Sequence, residues 1–400
     1  MGNKKIKPRK MLRTFISITL FIIIMAALNA CSPLKEFMTA PTYQKANNFN
    51  YPFPFYDSLK KTVIIVANNN GTEIFDMMAP YYLFNTTQKA NVYVVAKNKF
   101  PIVVKKGFFV LPQLTFNEID SLKIEPDVIV IPFLSVADSL HQDVVIVNWI
   151  KQHYSHEVKM LSVCDGAATA AATGIFDGKP ITAHASDYES VKAHFSKPLW
   201  IQNTSVANDG NLYSTAGVSN AVEGSLMVIN ELFGPEIMTK VIKDIDYPYP
   251  SPKTEHQSNA FHFGDKMTVG KKIIFTKNKK IGVLLHDSIN EFELAAVMDT
   301  YNRTFPKSIT SFSYNDSAVK TKYGLTIIPT GTIHNTEIDE LHVLDSVSFS
   351  NSDPLQLKSG EIVKYSSTQK QYIIDECLHR IYNQYDEKFE NVVKLMLDYN

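Results

Sequence analysis

Apolar runs broken by turn-forming residues alternate with helical patterns along most of the chain. Thr62 to Ala67 is continuously apolar and predicts a buried strand, and the Asn68-Asn69-Asn70-Gly71 stretch after it predicts a loop. Glu73 to Phe84 reads as a helix with Thr72 at its N-cap position. Val92 to Ala96 predicts a second strand. Ile102-Val103-Val104 and Phe108 to Leu111 flank Lys105-Lys106-Gly107 and predict a small hairpin. Asp127 to Ile131 reads as a strand, Val144 to His153 as a helix and Val158 to Val163 as another strand. Strands that alternate with helices predict an α/β fold with a mostly parallel sheet covered on both faces. Ligands in such folds bind at the carboxyl ends of the strands.

At the end of the Val158–Val163 run the pattern changes abruptly. Cys164 is followed by Asp165-Gly166, then by the small residues Ala167 to Ala172, with Gly174 as a helix stop. Strand, tight turn and helix with a cysteine at the turn is the geometry of a nucleophile elbow. Position alone leaves an inert buried thiol equally open, because free cysteine packs as a small hydrophobe. A helix N-terminus lowers a thiol pKa and an adjacent carboxylate, Asp165, raises it. The expectation from these two is a thiolate forming below ~8.5.

The run Ser162-Val163-Cys164-Asp165-Gly166, the segment Gly174 to His184 and the segment Leu212 to Asn220 resemble, in order, the ThiJ/PfpI (DJ-1/PfpI) superfamily of class I glutamine amidotransferase-like domains. The nearest branch is that of AraC-regulator-associated and isocyanide hydratase-like domains. The resemblance covers residues 61–234 and implies a flavodoxin-like three-layer sandwich with a reactive elbow cysteine. It implies that Asp76, four residues before Pro80, hydrogen-bonds the sulfur of Cys164, and that His184 is the family's site histidine. It also implies an oxyanion site of backbone N–H groups, here those of Asp165 and Phe133. The chain departs from the family there. Ile131-Pro132-Phe133-Leu134 stands where the family has Pro-Gly-Gly, and Asp165 stands where it has a neutral residue.

A second half begins with a strand at Ile281 to Leu285, a helix over Glu291 to Met298, a strand over Ile309 to Ser313 and a hairpin over Ala318 to Ile328. Phe75 and Phe292, Ala79 and Ala296, Gly107 and Gly324, and Pro112 and Pro329 all pair at one offset, which is the signature of a duplication. Residues 281–400 thus read as a degenerate partial repeat with Glu293 at the position of Asp76, no second elbow, and a long C-terminal helix. Cys377 falls on its apolar stripe and reads as core. Residues 235–280, rich in turn formers, read as a linker. Superfamily members pair, so either a homodimer or an intramolecular pseudo-dimer is expected.

The N-terminal segment follows another logic. Lys4 to Arg13 is cationic, Phe15 to Ala27 is apolar, and Leu28-Asn29-Ala30-Cys31 resembles a bacterial lipobox. Residues 1–31 therefore read as a lipoprotein signal peptide with lipidation at Cys31, and residues 32–60 as a tether. The expected location is extracytoplasmic, anchored to a bacterial cell or outer membrane through the lipid. Lys+Arg and Asp+Glu number 40 each, so no basic excess points to a nucleic-acid partner. With three cysteines no disulfide framework is implied, and no phosphate-loop, dinucleotide or zinc-helix motif occurs, so no cofactor or metal is called for. The functional expectation is a membrane-anchored protein acting through Cys164 on a small electrophilic molecule, by hydration, hydrolysis or glyoxalase-like chemistry. The alternative is a noncatalytic ligand-binding or redox-sensing module.

Overall fold

The continuous apolar runs become central parallel strands because both faces of the sheet they join are covered by helices. In the computed structural model the described residues are 33–39, 41–44, 49, 51–104, 107–135, 142–332, 337–344, 360–365 and 371–400. Residues 1–32, read above as signal segment and lipidation site at Cys31, and Lys105-Lys106 lie outside them. The first half runs β1 (Lys61–Ala67), α1 (Ile74–Thr86), β2 (Ala90–Ala96), β3 (Ile102–Val103), β4 (Phe108–Val110), β5 (Leu114–Thr115), α2 (Phe116–Leu122) and β6 (Val128–Ile131). It continues through α3 (Val144–His153), β7 (Lys159–Ser162), α4 (Gly166–Ala172), β8 (Pro180–Ile181), α5 (Tyr188–His194), β9 (Leu199–Trp200), β10 (Val206–Asp209), β11 (Leu212–Thr215) and α6 (Ala221–Phe233).

These strands form a seven-stranded sheet in the order β10-β11-β7-β6-β1-β2-β5, parallel except for the β10–β11 pair. One face carries Ile64, Val66, Ile129, Ile131 and Met160 under α2, α3 and α4. The other carries Val63, Ile65, Val128, Val130 and Leu161 under α1 and α6. This is the flavodoxin-like three-layer sandwich. The N-cap of α1 is Glu73 rather than Thr72, whose hydroxyl instead donates to Asn68 O at 3.1 Å in the preceding turn.

The stretch read as a linker holds two helices, α7 (Pro235–Asp244) and α8 (Phe263–Phe275). Pro235 at the first turn and the buried Met238, Val241 and Ile242 explain α7, whose amphipathic face packs on α6.

The second half runs β12 (Lys280–Leu285), α9 (Glu291–Asn302), β13 (Ser308–Ser313), β14 (Val319–Lys320), β15 (Thr326–Pro329), β16 (Glu340–Val343), β17 (Glu361–Lys364), α10 (Ile373–Gln384) and α11 (Glu387–Leu397). Its parallel sheet has the order β13-β12-β16-β17, the same as β2-β1-β6-β7 in the first half. The single long C-terminal helix of the sequence reading is two helices. The chain breaks at Tyr385, and Asp386 restarts it by accepting the Phe389 N–H at 2.8 Å.

The halves meet as a dimer would. β4 pairs antiparallel with β15, joining both hairpins into one sheet, β14-β15-β4-β3. Val110 faces Ile327 in that pairing, and the Phe75 and Phe292 rings lie 5.4 Å apart where α1 packs on α9. Both pairs join residues that are equivalent under the duplication offset. In a two-fold interface only residues on the axis touch their own counterparts. The second half is therefore the pseudo-symmetric partner of the first, and one core cluster runs from Val63 to Leu397 across both.

Candidate active site

Cys164 stands just past the carboxyl end of β7, between the strands β6 and β11. Its φ is +55°, a left-handed conformation uncommon for a residue with a side chain, and the one an elbow requires. Gly166 follows because a Cβ there would lie 2.1 Å from Ile131 O. Thr215 Oγ1 accepts the Cys164 N–H at 3.4 Å, which holds the turn to β11. The thiol is buried, yet it reaches a cavity of about 830 Å³ whose lining also includes Asp165, Glu73, Phe133, His184 and Arg303.

Asp76 sits in the first turn of α1 and is completely buried. Its Oδ2 accepts the Phe133 N–H at 3.0 Å, while Oδ1 has no hydrogen-bond partner among the described residues. Burial raises its pKa well above the usual carboxylate range, and Glu73 adds to the rise. Burial thus favours the protonated acid form of Asp76. Only its ionised form acts on the sulfur through space, and the hydrogen bond it makes is to Phe133.

That bond corrects one expectation. The Phe133 N–H, assigned to an oxyanion site, is occupied by Asp76, and the Phe133 carbonyl accepts the Glu73 N–H at 2.9 Å. The Asp165 N–H is directed at the Cys164 sulfur and favours its thiolate.

The thiol pKa also departs from the expectation. Burial pushes Cys164 well above its ordinary value, and the Asp165 carboxylate pushes it further. Asp76 and Glu73 add repulsion only when ionised, and the upward shift of each favours its protonated form. The resting form is a thiol, because desolvation of the anion outweighs the Asp165 N–H.

His184 is buried beside the same cavity. Its Nδ1 accepts the Ser186 N–H at 3.2 Å, which leaves the proton on Nε2, 3.3 Å from Met396 O in α11. Burial lowers its pKa, so it is neutral. Both ring nitrogens are spent on backbone groups, and neither bonds the sulfur.

Sequence reasoning missed three residues. Glu73, the N-cap of α1, accepts the Asp76 N–H at 2.7 Å through Oε2. Its pKa rises to about 8 through burial and the charge of Asp299 in α9, opposed by Arg303. Glu73 Oε1 and Asp299 Oδ2 have no donor, and the two carboxyl groups are within hydrogen-bonding reach, so a shared proton satisfies both. Arg303, at the C-cap of α9, donates to Asp299 Oδ1, and its Nε donates to Met396 O at 2.9 Å. Burial opposes its charge, but Asp299 and Glu73 outweigh that and raise its pKa; the Cys164 sulfur acts in the same direction. The second half thus contributes a guanidinium to the cysteine's cavity. An Asp–Arg pair four residues apart, following the apolar run Leu294–Met298, was the available signal.

A parallel α/β sandwich with a cysteine on a strained elbow and a buried acid beside it defines a class of elbow-cysteine domains. Residues 60–231 match the model of the DJ-1/PfpI family, and this part of the chain is a DJ-1/PfpI family domain. The chain is similar to isonitrile hydratase of Pseudomonas putida, 25% identical over 177 residues, covering 44% of this chain and 74% of the relative. It is also similar to protein dj-1beta of Drosophila melanogaster, 24% identical over 141 residues, covering 35% of this chain and 73% of the relative. Among solved structures, that of Drosophila melanogaster DJ-1beta matches at 20% identity with a TM-score of 0.41, covering 46% of this chain and 97% of that one. A ThiJ/PfpI family protein from Pseudomonas syringae matches at 19% identity and a TM-score of 0.41, covering 54% of this chain and 85% of that one. Among the described residues, no helix is long and apolar enough to cross a membrane.

Proposed function

We propose that the protein is a membrane-anchored, extracytoplasmic enzyme that adds the Cys164 sulfur to an electrophilic carbon and completes the reaction with water. The observation that carries this reading is the elbow at Cys164, strained at φ +55°, with the buried Asp76 nearby and the Arg303 guanidinium in the same cavity. As sulfur bonds carbon, negative charge develops on that carbon or on the atom beside it. Asp76 supplies its proton to that atom, and the thiol proton restores Asp76, so the site's proton count is unchanged. Arg303 offsets charge that develops before the proton arrives. The raised thiol pKa weighs against a peroxide sensor, which needs a thiolate.

An isonitrile, named in the Pseudomonas putida relative, meets these demands. Sulfur and a proton both add to the terminal carbon to give a thioimidate; water then adds to that carbon, nitrogen takes a proton, and the sulfur leaves as the restored thiol, giving an N-substituted formamide. The test is to incubate the protein with an aryl isonitrile and follow the formamide by chromatography. Formation that stops in Cys164→Ala supports the reading; equal formation in that variant overturns it. The anchor is tested separately. Labelled palmitate is expected in the wild type and absent from Cys31→Ala, and label retained in the variant contradicts lipidation.

A further inference from the structure

The cavity over Cys164 is far larger and more apolar than a few-atom electrophile requires. About 830 Å³ is the size of a pocket for a drug-sized ligand. Its floor is polar, with Cys164, Asp165, Glu73 and Arg303, whereas its walls are Val269, Ile273 and Ile274 of α8 with Phe305 after α9. Of the five residues α8 adds to the lining, Lys266 is the one that carries a charge. This division suits a ligand with a reactive polar head and an apolar tail.

The rim adds an independent observation. It is built by α8 and by a short helical stretch, residues 33–38, in which Phe37 packs on Phe305 with ring centroids 4.6 Å apart and Glu36 Oε1 accepts the Ile309 N–H at 3.2 Å. Large apolar side chains on these two elements face solvent: Leu34 and Met267 are 44% and 47% exposed, and Met38, Phe263 and Phe275 are 78–79% exposed. Phe263, Met267, Gly270 and Ile274 fall at helical spacing on one stripe of α8, which runs from exposed surface into the cavity wall. Such an apolar path from surface to interior is costly in water unless an apolar phase or ligand meets it. Leu34 is three residues after Cys31, and three residues span at most about 10 Å, so a lipid on Cys31 holds this rim against the bilayer.

We propose that the substrate is an amphiphile drawn from the membrane, its electrophilic head at Cys164 beside Arg303 and its apolar tail along α8 and residues 34–38. This rests on the reading of Cys164 as a nucleophile and names the class of molecule that nucleophile meets.

The probes are N-ethylmaleimide and N-dodecylmaleimide, applied to the full chain in phosphatidylcholine vesicles, with glutathione in the same vesicles as the reference thiol. The thiol adds across the maleimide double bond, sulfur to one carbon and the proton to the other, and the Cys164 adduct is read by peptide mass spectrometry. The dodecyl-to-ethyl rate ratio at Cys164 is expected to exceed that for glutathione at least tenfold. Gly270→Trp plugs the tail path, and a Cβ there meets nothing within 4 Å, so the helix accommodates the change. Ile274→Glu alters the same wall through charge. Both variants are expected to bring the ratio down to the glutathione value. A wild-type ratio equal to that of glutathione, or one that both variants leave intact, overturns the amphiphile proposal while ethyl labelling upholds the nucleophile. Absence of any adduct at Cys164 with either probe overturns the nucleophile reading and this proposal with it.

Discussion

Cys164 is held at φ +55° inside a sheet whose neighbouring acids are almost all shielded from water, and its chemistry follows from that combination. The position was legible in the sequence, because only a strand, a turn and a run of alanines follow one another there. The charge state was not, because the burial that keeps the thiol protonated depends on residues far away in the chain. Alkylation of Cys164 by iodoacetamide is expected to rise with an inflection above the ordinary thiol value, since burial and Asp165 both raise the pKa. Asp165→Asn removes the nearest negative charge and is expected to move that inflection down. An inflection below ~8.5 in the wild type contradicts this account. Glu73 gives a stability prediction with a defined sign. Its pKa rises from 4.5 unfolded to about 8 folded, so between those values the folded state binds the extra proton. Stability is therefore lost as pH rises through that window, with a slope of up to about 1.4 kcal/mol per pH unit for one proton. Glu73→Gln is expected to flatten the slope in urea titrations between pH 5 and 8 and to be the more stable form at pH 8. An unchanged slope contradicts the shared proton with Asp299.

Elements of the first half followed their sequence patterns closely, because apolar runs such as Thr62–Ala67 and Val158–Val163 are too short for helices and too continuous for exposed strands. Two later stretches did not follow theirs. The Asp246–Pro252 cluster of turn formers masked α7 and α8 on either side of it, although Met238, Val241 and Ile242 already lay on one helical face. The C-terminal apolar stripe concealed a break, because Asp386 caps a new helix without interrupting the periodicity. At the elbow, the element is fixed by a contact no side chain can enter. A Cβ on Gly166 would lie 2.1 Å from Ile131 O and 2.9 Å from Pro132 C, both backbone atoms that cannot swing away. Gly166→Ala is expected to cost about 1–3 kcal/mol, or more if the β6–α4 contact must open. A thermal midpoint equal to the wild type contradicts the elbow packing described here.

On the scale of the whole molecule, the duplication was legible as a repeated offset, but its consequence for the site was not. Sequence offsets say that Phe75 and Phe292 are equivalent; only the folded chain brings them together on a pseudo-two-fold axis. That contact carries the end of α9, with Asp299 and Arg303, to the start of α1 with Glu73 and Asp76. Neither half is complete alone. Residues 281–400 expressed by themselves expose the β15 edge and the α9 face, and are expected to give poorly dispersed amide spectra. A well-dispersed, cooperatively unfolding fragment contradicts the fused-dimer description.

The central claim is that the second half completes the Cys164 site through the guanidinium of Arg303. The most direct test is the ratio of Cys164 alkylation rates with iodoacetate and iodoacetamide, measured in the wild type and in Arg303→Gln. The two reagents share a leaving group and differ in charge, so the ratio reads the local field and cancels general changes in access. Removing a positive charge that acts on the sulfur lowers the rate for the anion relative to the neutral reagent. The account predicts a ratio at least threefold lower in Arg303→Gln than in the wild type. An identical ratio in the two proteins would contradict it.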